Sequence, residues 1–212
     1  MGADGVERGQ QGDVDASRVD TLVLVEGESD AAAVRALATL IGLDLPRHRV
    51  RLQSANGVTN YPRVLSAFAT ANPRAAFCGL YDIADERHVR RALSRAGVAL
   101  DDEASLDACG FFACVVDLED ELIRALGTSS VERVIEAEGE LSSLRLFQQM
   151  PQHRDAPAPR QLRRFLGTRA TRKIRSAQRL VEALTIDQLP APLARLADQL
   201  RMMTSRATST GR

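Results

Sequence analysis

Apolar positions along the chain alternate between two spacings. Thr21 to Val25 is a short β-branched run, which predicts a buried parallel strand. From Ser29 to Ile41, Ala32, Val34, Leu37, Leu40 and Ile41 recur at helical spacing, and Gly42 follows as a stop. The alternation repeats. Strands are predicted over Val50–Gln53, Ala75–Leu80 and Phe111–Val116, with helices over Val58–Ala71 and Asp85–Ala96, the latter stopped by Gly97. The segment Ser54-Ala55-Asn56-Gly57 reads as a turn. Four strands separated by helices predict an α/β fold with a parallel sheet and right-handed crossovers.

After Asp117 the strand signal ends. Leu118–Leu126, Val131–Glu138, Leu141–Gln149, Gln161–Leu166, Ile174–Leu184 and Pro192–Met203 all read as helices, and Pro151 to Pro159 as a loop. The ends are polar: residues 1–18 and 204–212 are expected to be disordered tails. The division expected is therefore an α/β core over 19–127 and a helical extension over 128–203. No apolar run approaches the roughly 18 residues of a membrane span, and the polar start does not resemble a signal peptide, so a cytoplasmic location is expected.

Composition removes several chemistries. The chain has 212 residues, enough to bury a core without staples. Cys78, Cys109 and Cys114 lie in apolar runs and read as reduced thiols. His48, His88 and His153 have no partner at zinc-ligand spacing. Of 28 basic residues only Lys173 is a lysine, and Arg172 precedes it, so there is no Walker A sequence.

The net charge is zero, but its distribution is uneven. Residues 82–140 carry 15 acids against 6 bases, and residues 141–184 carry 10 bases against 2 acids. An acidic core followed by a basic helical segment suits an enzyme that uses a metal and holds a polyanion.

In an open parallel sheet, ligands bind at the carboxyl ends of the strands. Here three of those ends are acidic: Glu26-Gly27-Glu28-Ser29-Asp30, Asp82-Ile83-Ala84-Asp85-Glu86 and Asp117-Leu118-Glu119-Asp120-Glu121. Clustered carboxylates repel one another and resist desolvation; a hard divalent cation, Mg²⁺ or Mn²⁺, relieves both. Ser29, Asp30, Asp82, Asp85 and Asp117 also suit helix capping. Glu26, directly after a buried strand and before a glycine, has no such structural use.

The run Leu24-Val25-Glu26-Gly27-Glu28-Ser29-Asp30 resembles the first motif of Toprim domains, in the version of the overcoming-lysogenisation-defect (OLD) nucleases. The order of elements extends the likeness over Thr21 to Asp120, and Leu118 to Gly127 resembles a stretch of small standalone actinobacterial Toprim proteins. The resemblance implies a Rossmann-like four-stranded parallel sheet flanked by helices, followed by a helical C-terminal extension. It also implies metal-dependent phosphodiester hydrolysis of nucleic acid, DNA in preference to RNA, by metal-activated water.

By that resemblance Glu26 is a metal ligand or general acid/base, and Asp30, Asp82 and Glu119 complete the acidic set. Gly57 matches the glycine of the turn after the second strand and is expected among the nucleic-acid-binding residues. Lys173 matches the lysine presented near the scissile phosphate, with Arg172 and Arg175 as backbone contacts. The sequence departs from the Toprim Asp-x-Asp motif at Ala84, where Asp85 or Glu86 is the available substitute and a second metal is put in question. OLD proteins fuse this domain to an ATPase, so a separate ATPase is an implied partner.

A catalytically weakened nucleic-acid-binding or assembly module is the alternative that Ala84 favours. Topoisomerase chemistry is disfavoured, since Tyr61 starts a helix and Tyr81 ends a strand. Primase activity lacks a zinc module. The Gly-Glu-Ser-Asp-Ala run only approaches a serine-hydrolase elbow.

Overall fold

A computed structural model describes residues 19–100 and 105–209; the expected tail over 1–18 and residues 210–212 lie outside it. Four strands, β1 (Thr21–Val25), β2 (Val50–Ser54), β3 (Ala76–Asp82) and β4 (Phe111–Cys114), form one parallel sheet in the order β2-β1-β3-β4. Thr21 stands opposite Val50 on one side and Ala76 on the other, and Asp82 stands opposite Cys114. All five residues of β1 are buried, as a central strand covered on both faces requires. Each such Val or Leu contributes about 1.5–3 kcal/mol by leaving water.

Successive strand residues point to opposite faces, and each face has its own core. Leu22, Leu24 and Phe111 pack under α2 (Tyr61–Ala71) and α3 (Glu86–Arg95). Val23, Val25, Leu80 and Phe112 pack under α1 (Glu28–Leu40) and the later helices. These are α4 (Leu118–Leu126), α5 (Thr128–Ala137), α6 (Leu141–Gln149), α7 (Ala158–Leu166), α8 (Ala170–Glu182) and α9 (Ala191–Ser209). The helices after residue 127 share one continuous core with the sheet. α8 lies along α1, where buried Ala31, Ala33 and Ala36 meet a helix carrying buried Ser176 and Ala177. α9 returns to pack against β4 and β3.

Gly79 sets the closest approach inside the sheet. A Cβ there would lie 2.0 Å from the Leu24 carbonyl oxygen, so β1 and β3 can pair at this register only around a glycine.

Several boundaries differ from the sequence reading. β3 runs on to Asp82, making that carboxylate the last residue of the strand. β4 stops at Cys114; Val115 and Val116 are largely exposed, because the Val115 N–H leaves the ladder and donates to Glu121 Oε1 at 3.0 Å. α8 begins at Ala170, four residues before the first periodic apolar position, and so carries Lys173 in its first turns. α9 continues through Ser209 where a polar tail was expected from 204: Thr204 is buried and its hydroxyl donates to the Leu200 carbonyl at 2.9 Å. No described helix is long and apolar enough to cross a membrane.

Candidate metal centre

β1 delivers the first carboxylate. Its apolar run ends at Val25, and Glu26 is the first residue beyond the ladder. The backbone at Glu26 is fixed from the side: the Gly57 N–H donates to the Glu26 carbonyl at 3.0 Å, and the Ala55 N–H to the Val25 carbonyl at 2.9 Å. Gly57 sits at φ +112°, a conformation that L side chains rarely adopt. Asn60 holds the same turn by donating to the Ala55 and Asn56 carbonyls, both at 3.0 Å. The structure thus gives Gly57 a positioning role behind Glu26.

Gly27 caps α1, and Asp30, three residues on, accepts from the Gly27 N–H at 2.9 Å. The capping use of Asp30 is therefore real, and one of its oxygens serves it. β3 delivers Asp82, and Asp85 caps α3 after a single 3₁₀ turn over 83–85. That turn decides what stands in for the missing acid at Ala84. Asp85 joins Glu26 and Asp82, with one oxygen of each lying within 4.8 Å of the others, whereas Glu86 turns away to Arg90 at 2.9 Å. His88 Nδ1 lies 3.4 Å from Asp85 Oδ1, behind the group.

The fourth strand end contributes differently. Asp117 caps α4, accepting from the Asp120 N–H at 2.8 Å, and is engaged by Arg163 at 2.6 Å. Glu119, in the first turn of α4, is 3% exposed. Lys173 Nζ lies 3.3 Å from Glu119 Oε1, an ion pair whose geometry leaves that buried oxygen without a hydrogen bond.

Each acid carries the mark of its neighbours. Asp30 is pushed up to about 7 by burial and by Glu119, against the pull of the Gly27 N–H and Lys173. Asp82 is pushed up to about 7 by burial, then by Glu26 and Asp30. Glu26 is raised by burial and by Asp85, and Glu119 by burial, with Lys173 opposing both. Burial lowers the Lys173 ammonium, but Glu119, Asp30 and Asp117 more than offset this and leave it above its ordinary value. Beneath the cluster, buried Tyr61 donates to the Leu80 carbonyl at 3.0 Å and tethers β3 two residues before Asp82.

These observations fit a hard divalent cation. Five carboxylates lie within electrostatic reach of one another, and three of them converge. The donor set is all oxygen, which suits Mg²⁺ or Mn²⁺ over a softer metal.

Both arginines expected to contact the nucleic-acid backbone are paired with acids of this chain. Arg172 is 7% exposed; its guanidinium pairs with Glu140, bonds Thr168, and lies 4.1 Å from the Phe165 ring centroid. Arg175 pairs with Glu138 at 2.7 Å and with Glu140. They occupy the α8 face turned to the α5–α6 junction, where their charges are already matched. What the sequence reading missed is Arg163 and Arg164, which line a cavity with Lys173. Nothing in their local pattern separates them from the other arginines, since only the packing of α7 beside α4 brings them there.

The segment that carries Glu26 and Asp30 has a counterpart in a known family. Residues 19–78 match the family model of the overcoming lysogenization defect protein-like TOPRIM domain. That segment is similar to an OLD-like Toprim domain. The chain's fold is that of the C-terminal region of the Xanthomonas campestris pv. campestris OLD protein, with a TM-score of 0.66 at 20% identity, covering 92% of this chain and 98% of that one. The C-terminal region of the Burkholderia pseudomallei OLD protein gives 0.62 at 22% identity, covering 88% and 99%. No curated protein matches the chain. At 88–92% of this chain, the likeness to these structures extends past the matched 60-residue segment.

Proposed function

We propose that this OLD-like Toprim protein is a metal-dependent nuclease that hydrolyses phosphodiester bonds in nucleic acid, with DNA the favoured substrate. The observation that carries the reading is the convergence of Glu26, Asp82 and Asp85 from two adjacent strand ends, with Lys173 held beside them through Glu119. Glu26, Asp82 and Asp85 would hold the cation, and Asp30 and Glu119 border it. When bound, a divalent cation there supplies Lewis-acid stabilisation of the phosphoryl oxygens and lowers the pKa of a water.

The chain's own groups do the rest. Glu26 serves as a ligand of that cation or, in place of that, as the general acid/base. The Lys173 ammonium places a positive charge where negative charge grows on the phosphate. Glu119 orients Lys173, and Tyr61 and Gly57 fix the backbone under Asp82 and Glu26.

Plasmid cleavage tests this reading. Supercoiled DNA is incubated in Mg²⁺, Mn²⁺ or EDTA with the protein and with Glu26→Gln and Lys173→Met. The expected result is metal-dependent nicking that falls at least about 100-fold in both variants, the usual size of an acid/base or electrostatic contribution. Undiminished cleavage by Glu26→Gln would overturn the assignment. A complete lack of cleavage, on DNA and RNA alike, would favour a binding module acting with a separate ATPase.

A further inference from the structure

Next to the acid cluster is a cavity of about 360 Å³ lined by Asp117, Glu119, Arg163, Arg164, Gly167 and Lys173. Glu119 and Lys173 belong to both, so the two spaces adjoin. The charges in the cavity do not cancel. Asp117 is taken by Arg163, whose Nε and Nη2 both reach its Oδ2, at 2.7 and 2.6 Å. Glu119 is taken by Lys173. Arg164 is exposed and has no hydrogen bond or ion pair among the described residues.

The three arginines within α8 are arranged differently. Arg172, Arg175 and Arg179 are all matched by Glu138, Glu140 or Glu182. Gly167 adds a second feature. Its backbone is not in the left-handed region, and a Cβ would meet only ordinary contacts at 3.6 Å, so neither conformation nor packing requires a glycine. Its effect is to leave the cavity wall without a side chain.

We propose that this cavity is a subsite for a second phosphodiester of the nucleic-acid backbone, adjacent to the phosphate at the acid cluster, with Arg164 supplying the uncompensated charge. A phosphodiester carries one negative charge and two non-bridging oxygens, which a guanidinium fork matches. Arg163, fixed against Asp117, keeps that carboxylate from repelling the phosphate. Lys173 marks the boundary between the two subsites. The backbone then leaves the acid cluster past Lys173 towards α7. The subsite rests on the nuclease reading above and assigns the path of its substrate.

The test is fluorescence anisotropy of the full chain with labelled single-stranded DNA and RNA oligonucleotides of one sequence, in Ca²⁺, at several salt concentrations. The variants are Arg164→Ala, Arg164→Lys and, as a control of equal charge change, Arg74→Ala. Arg74 is exposed before β3, at the opposite end of the sheet. One lost phosphate contact makes the slope of log K against log salt shallower by about 0.7–0.9 and weakens binding about five- to eightfold at 0.1 M salt. Arg164→Ala is expected to show both, Arg164→Lys to keep the wild-type slope, and Arg74→Ala to match wild type. A loss with only one of the two oligonucleotides names which nucleic acid the subsite takes. If Arg164→Ala binds as wild type does while the plasmid is still cleaved, the subsite is wrong and the nuclease reading stands. If the wild-type chain neither binds nor cleaves, both fall.

Discussion

Replacing Asp30 by asparagine takes one charge out of the carboxylate cluster and leaves the side chain's shape in place. The amide oxygen can still accept from the Gly27 N–H, so the α1 cap survives. In the folded chain the Asp30 carboxyl stands at about 7, against an ordinary 3.8. Each pH unit between these values is worth about 1.4 kcal/mol. Ionised Asp30 therefore destabilises the metal-free fold by on the order of 4 kcal/mol. The sign follows from proton counts. Between pH 3.8 and about 7 the folded chain holds a proton that the unfolded chain has released, so stability falls as pH rises through that window. The penalty is absent below the lower value and complete above the upper one. Asp30→Asn is thus expected to be more stable than wild type at pH 8 in EDTA, by about 2–4 kcal/mol once the cost of burying an amide is allowed for. Near pH 4 the variant should have lost this advantage. Urea unfolding at both pH values, followed by circular dichroism, measures the difference. Asp30→Asn less stable than wild type at pH 8, or an offset that does not change with pH, would refute the reasoning.

Two other substitutions test the frame around the site. Arg172→Ala leaves Glu140 half-matched by Arg175 and removes the stacking on Phe165; a loss of about 3 kcal/mol is expected in urea unfolding, the low end for a broken buried pair, with oligonucleotide affinity unchanged. Gly79→Ala puts a methyl 2.0 Å from the Leu24 carbonyl and should cost about 3 kcal/mol or more, seen as a lowered melting temperature or loss of folded protein.

The strand pattern was legible because β1 is buried on both faces and the strands are separated by helical spacing, and the three acidic strand ends follow directly from it. The substitute for Ala84 was narrowed to two residues and no further. Choosing Asp85 over Glu86 depends on a 3₁₀ turn and on the reach of Arg90. The basic segment was visible as a charge run, but not which arginines are structural. That depends on Glu138 and Glu140 meeting α8 across more than 30 residues of chain, a contact no local pattern reports. The start of α8 was set too late for a similar reason. Its first turn, 170–173, has no apolar period, and it is helical because the rest of α8 packs along α1. Val115 and Val116 show the opposite error, an apolar run that leaves the sheet because a side chain, Glu121, captures its backbone.

The cluster as a cation site is most directly tested by calorimetric titration of Mn²⁺ and Mg²⁺ into metal-stripped protein, beside Glu26→Gln and Asp82→Asn. The account predicts at least one site of millimolar affinity or better in the wild-type chain, weakened at least about tenfold in each variant, since each removes a charged oxygen ligand. Wild-type protein that takes up neither cation, or variants that bind as wild type does, would contradict it.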